Sequence, residues 1–125
     1  MIDGMSVLTF AISRPPKSIQ QIIDDYKIDV NADIDYFLIH QANKLIVDRV
    51  VKKLKLPIEK VPYDLEEFGN LGGASIPSLM VTRTAEPMRG NKPVKMLCSS
   101  FGLGLSWGTM IISTKNVVIP ELIEI

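Results

Sequence analysis

A chain of 125 residues, 46% hydrophobic and 22% charged, has the composition of one compact globular domain and not of a disordered or collagen-like segment. Fourteen Lys and Arg balance fourteen Asp and Glu, so no net field draws the molecule to nucleic acid or to an anionic membrane. One cysteine (Cys98) excludes an internal disulfide, one histidine (His40) leaves no His/Cys metal site, and no apolar run reaches the length of a membrane span. Residues 1–5 lack a basic segment followed by an apolar one, which predicts no signal peptide and a cytoplasmic location.

The apolar, partly β-branched run from Met5 to Ile12 predicts a strand. Ser13 and the pair Pro15-Pro16 suit a helix entry, and Ile19, Ile22, Ile23 and Tyr26 continue at helical spacing, giving a helix over about 16–27. After the turn at 31–33, Tyr36-Phe-Leu-Ile39 has the form of a strand buried on both faces. From Lys44 to Lys55 the positions Ile46, Val47, Val50, Val51 and Leu54 mark an amphipathic helix, closed by Pro57. Val61-Pro-Tyr63 reads as a short strand, and Phe68 to Ser75 as a glycine-rich loop. Ser75 and Pro77 then open a helix that runs to about Arg89 and stops at Gly90-Asn91. Its first part, Ile76 to Val81, is apolar almost all round, as in a helix buried on every side. Strands over 94–99 and 105–113 flank the turn Phe101-Gly-Leu-Gly104 and should pair antiparallel. Strands alternating with helices predict an α/β fold, a mostly parallel sheet covered on both faces.

Ligand sites in such sheets gather at the carboxyl ends of the strands. His40, the pair Gly69-Asn70 and the turn 102–104 all fall there. The pattern marks a place without naming a reaction, and His40 could equally be a histidine tied to nearby backbone. The loop 69–75 could hold an anion at a helix start, but it lacks the spacing of a P-loop or a dinucleotide fingerprint. Cys98 lies in an apolar strand with no basic neighbour to lower its pKa, which favours a core residue over a nucleophile.

Three motifs in order, His40-Gln41-Ala42-Asn43 after an apolar strand, Phe68-Gly69-Asn70, and Phe101-Gly-Leu-Gly-Leu-Ser-Trp-Gly108, resemble the ketoacyl-acyl-carrier-protein synthase III family of the thiolase superfamily. The likeness covers residues 1–113, the expected domain, and leaves 114–125 as a tail. It implies the carboxy-terminal half of such an enzyme, with a five-stranded sheet in the order 3-2-1-4-5, the last strand antiparallel. It further implies a decarboxylating condensation of an acyl primer with malonyl-acyl carrier protein, no cofactor, and a homodimer when full-length. His40 and Asn70 map onto two members of a Cys-His-Asn triad whose cysteine belongs to the missing amino-terminal half, so the chain alone is expected to be inactive. By the same resemblance Gln41, Ala42, Asn43, Lys44 and Leu45 meet the carrier protein, while Phe101 and Leu103 border the pocket and its oxyanion-binding backbone. Lys44, Arg49, Lys52, Lys53 and Lys55, against Asp48, make the following helix basic enough to attract an acidic carrier.

The sequence departs from the family where Leu45 takes a commonly basic position, where Leu103 interrupts a glycine run, and where Leu71-Gly72-Gly73 replace small hydroxyl residues. Two other readings stay open: a relative acting on coenzyme A thioesters, and a non-catalytic module that binds a carrier protein or an acyl chain.

Overall fold

The computed structural model describes residues 3–102 and 104–125. Its elements in chain order are α1 (Gly4–Ala11), α2 (Arg14–Asp25), β1 (Tyr36–Ile39), α3 (Lys44–Leu54), α4 (Leu65–Phe68), α5 (Ser75–Thr82), α6 (Ala85–Arg89), β2 (Val94–Gly102) and β3 (Ser106–Thr114), with single 3₁₀ turns at Ile58–Lys60 and Gly72–Ala74.

The sheet has the order β1-β2-β3, the first pair parallel and the second antiparallel. Alternation along the strands divides the core into two layers. Phe37, Ile39, Leu97 and Phe101 pack with α1, α2 and α3 on one face, through Phe10, Ile19, Ile23, Ile46, Val47 and Val50. Leu38, Met96 and Cys98 pack with Leu79 of α5 and Met88 of α6 on the other. The α/β class with helices on both faces is therefore what the chain adopts.

The first apolar run is a helix and not the expected strand. Asp3 caps α1, its carboxylate accepting from the backbone N–H groups of Met5 and Ser6, each at 3.3 Å. Val7, Phe10 and Ala11 stand at helical spacing, with Phe10 and Ala11 buried. A short apolar run fits either period, and the burial of Phe10 and Ala11 in the first core layer settles it as a helix. With no strand inserted, β1 lies directly against β2, and among the described residues the sheet has three strands where five in the order 3-2-1-4-5 were expected.

Val61–Tyr63, expected as a strand, pairs with no strand among the described residues. Pro62 has no N–H for a ladder. The segment is held instead by burial of Val61 and by Arg83 Nε donating to the Tyr63 carbonyl at 2.7 Å. The helix expected over 75–89 is broken into α5 and α6. Pro87 would clash with the Arg83 carbonyl in a continuous helix, so the chain breaks and restarts after Thr84. The first part of that helix is buried on one side only, through Ser75 and Leu79, while Pro77 is exposed. Large apolar side chains are instead exposed on and beside the outer strand, at Leu105, Trp107 and Met110.

Residues after Thr114 run back along α6. Asn116 and Val117 N–H groups donate to the carbonyls of Gly90 and Met88, and Arg89 clamps the Ile119 carbonyl through Nε (2.9 Å) and Nη2 (2.7 Å). Val117 and Ile119 extend the second core layer.

Leu38 and Leu97 have no exposed surface and serve opposite layers. Leu38→Ala and Leu97→Ala are each expected to cost about 2–5 kcal/mol in urea unfolding. A loss under about 1 kcal/mol at either position would mean that its layer is not the packed core described here.

Candidate active site

A cleft of about 640 Å³ opens at the carboxyl ends of β1 and β2, bordered by His40, Asn70, Ser100, Phe101, Phe10 and Trp107. His40 comes from the residue after β1. Its N–H donates to the Ser99 carbonyl at 2.9 Å and so continues the β1–β2 ladder by one step. The residue is thereby fixed to the sheet and only 5% exposed.

Aromatic rings wall the site. The His40 ring meets Phe101 edge to face at 4.8 Å, and Phe10 stands against both Phe101 (6.3 Å) and Trp107 (5.5 Å) in the same manner. Burial in this surrounding holds the His40 imidazole below its ordinary value, so the ring is neutral near pH 7. A neutral imidazole carries one N–H donor, which is what a developing oxyanion needs.

Asn70 is brought to the same cleft by the glycine-rich loop. Gly69 takes φ 67°, ψ −159°, a conformation open in practice to glycine alone, and this turns the chain after α4 towards the cleft. The Asn70 Oδ1 accepts from Gly72 N at 2.9 Å. That bond engages the amide oxygen and leaves the NH₂ group as the donor.

Gln41 and Asp64 brace the two loops against each other. Gln41 has no exposed surface; its Nε2 donates to the Ile39 carbonyl at 2.8 Å and its Oε1 accepts from Asp64 N at 3.3 Å. The buried Asp64 carboxylate accepts from Ser78 (2.5 Å) and Thr82 (3.1 Å) on α5. Gln41 thus faces inward, whereas the resemblance places it among the carrier-contact residues. Of the others in that group, Ala42 is half-buried and Asn43, Lys44 and Leu45 are exposed, with the Asn43 side chain capping α3 through Ile46 N at 2.9 Å. Leu103 lies outside the described residues. Cys98 packs in the second core layer, away from the cleft lining, and burial pushes its thiol up to about 11.

Ser100 and the α1 residues Val7 and Phe10 at the cleft, and Asp64 behind it, are not marked by the sequence motifs. The α1 pair was hidden by assigning a strand. Asp64 and Ser100 carry no local signal, because what they do depends on neighbours distant in sequence.

Residues 28–114 match the family described as 3-oxoacyl-[acyl-carrier-protein (ACP)] synthase III C terminal. The chain is 43% identical over 115 residues to a beta-ketoacyl-[acyl-carrier-protein] synthase III of Streptococcus pneumoniae, an alignment covering 90% of this chain and 35% of that protein. Among solved structures, a 3-oxoacyl-(acyl-carrier protein) synthase from Burkholderia xenovorans superposes with a TM-score of 0.89 at 30% identity, over 97% of this chain and 34% of that one. The priming beta-ketosynthase of the R1128 polyketide pathway superposes with a TM-score of 0.75 at 28% identity, over 92% and 34%. The chain spans about a third of the length of these relatives.

The lowered pKa of His40 has a consequence for stability. The unfolded chain takes up a proton near 6.5, the folded chain only at lower pH, so this group's contribution is complete above about 6.5 and is lost as pH falls below it. Urea midpoints measured between about pH 7 and pH 5 are expected to fall more steeply for the wild type than for His40→Gln. Equal slopes would show that burial of His40 does not govern its protonation.

Proposed function

The chain belongs to the 3-oxoacyl-[acyl-carrier-protein] synthase III C-terminal family, and from that premise we propose that it supplies the decarboxylation half of a condensing site acting on malonyl and acyl thioesters. The observation that carries the reading is a single one. His40 and Asn70, thirty residues apart, border one aromatic-walled cleft, with the Asn70 amide oxygen already engaged by Gly72 N.

Loss of carbon dioxide from a malonyl thioester leaves its electron pair on the α-carbon and, by resonance, a negative charge on the thioester oxygen. An imidazole N–H from His40 and an amide N–H from Asn70 stabilise that enolate, and they act more strongly in a dry site than in water. The carbanion attacks an acyl group carried as a thioester on cysteine, forming the carbon–carbon bond and expelling the thiolate. Cys98 is unsuited to that last role, being buried with a raised pKa. On this reading the acyl-accepting cysteine comes from outside this chain.

The acyl carrier protein is the partner this reading assigns to the exposed start of α3. Asn43, Lys44 and Leu45 are exposed there, and Arg49, Lys52 and Lys53 continue the positive face. Such charge speeds encounter with an acidic partner more than it adds affinity.

In the complete protein, His40→Ala and Asn70→Ala are each expected to slow malonyl-thioester decarboxylation by ~10²–10³, with smaller effects on acylation of the cysteine. An unchanged decarboxylation rate in either variant removes that residue from the mechanism. The 125-residue chain incubated alone with an acyl thioester is expected to show no acyl adduct by intact-mass measurement. A stoichiometric adduct on Cys98 would overturn the assignment of the nucleophile.

A further inference from the structure

We propose that Ser100 is a positioning residue that fixes the tautomer of His40, donating its hydroxyl hydrogen to Nδ1 so that the ring proton sits on Nε2. The inference rests on His40 acting as a hydrogen-bond donor in the cleft, as proposed above, and it concerns which nitrogen donates.

The arrangement follows from strand register. Ile39 is paired with Ser99, so the next step of the parallel ladder sets His40 beside Ser100. Even-numbered residues of β1 and β2 share a sheet face, as Leu38, Met96 and Cys98 do in the second core layer. The two side chains therefore meet, and Ser100 Oγ lies 3.4 Å from His40 Nδ1. On the other side, Ser100 is paired with Gly108, which has no side chain to compete for the hydroxyl. The hydroxyl of the preceding residue is already engaged, Ser99 with Thr109 at 3.1 Å and Thr109 with Ser18 of α2 at 2.9 Å.

A neutral imidazole has one N–H and one lone pair, and a partner at one nitrogen settles which is which. Phe101 holds the ring by its edge but offers it no polar atom. The Ser100 hydroxyl is a hydrogen-bonding group at the ring, beside Nδ1. With the Nδ1 lone pair occupied by the serine O–H, the proton resides on Nε2 and the ring enters the reaction already in the donor form. The opposite tautomer would leave Nε2 with a lone pair, which repels an enolate oxygen instead of stabilising it.

His40 is the only histidine, so the chain labelled with [¹⁵N]histidine gives the nitrogen signals of one imidazole. At a pH well above the His40 titration, the wild-type chain is expected to show a pyrrole-like Nε2 and a pyridine-like Nδ1. Ser100→Ala should draw the two shifts together, a change of roughly fivefold in tautomer ratio, the factor an ordinary hydrogen bond carries. Ser100→Thr, which keeps the hydroxyl, should restore the wild-type pattern. A wild-type Nδ1–H form, or a pattern unmoved in Ser100→Ala with unchanged far-ultraviolet circular dichroism, would overturn the proposal. In the complete protein Ser100→Ala should lower kcat for malonyl decarboxylation with little change in KM. A tautomer shift with no change in kcat would leave Ser100 as the setter of the ring and refute His40 as the enolate donor, so the two failures are distinguishable.

Discussion

The parallel pairing of Tyr36–Ile39 with Met96–Ser99 is the constraint on which the rest of the molecule depends. One face of these strands is covered by α1, α2 and α3, the other by α5, α6 and the carboxy-terminal segment. A slip of one residue would exchange the two core layers and turn His40 away from the cleft, so burial on both faces specifies the register strongly. The same register carries the strand ends past the helices together, and His40, Ser100 and Phe101 meet there because their backbones are already in step.

Identical sheet geometry gives opposite chemistry at two side chains. His40 and Cys98 come from neighbouring strands and both are buried. His40 lies at the strand end, bordering a cleft, where loss of solvent keeps the ring neutral while the residue still lines the cleft. Cys98 lies two residues further inside, among Leu38, Met96 and Leu79, where the same loss of solvent suppresses the thiolate. Desolvation thus prepares one group as a donor and silences the other.

The buried polar brace of Gln41, Asp64, Ser78 and Thr82 links three segments that share no sheet pairing: the turn after β1, the approach to the glycine-rich loop, and α5. Both hydroxyls fall on Asp64 Oδ2 and leave the buried Oδ1 unpartnered among the described residues, so the network is incomplete at that atom while it still ties the three segments together. It explains why a loop-borne asparagine and a strand-borne histidine can be held at a common cleft.

The α/β class, β1, α2, α3, the closing hairpin and the placing of His40 and Asn70 at strand and loop ends were legible from periodicity, caps and three motifs. Those features arise from residues close in sequence: Ile46, Val47, Val50 and Val51 define a helix face wherever that helix finally packs. Only the tertiary structure decided that Gly4–Ala11 is a helix, that Val61–Tyr63 joins no strand, and that β1 lies directly against β2, whereas the restart at Pro87 follows from a clash within its own helix. A short apolar run satisfies a helical and an extended pattern equally well, and the choice falls to what it can bury against. The partnership of Ser100 with His40 lies beyond any local reading for the same reason, since sixty residues separate them and only the register brings them together.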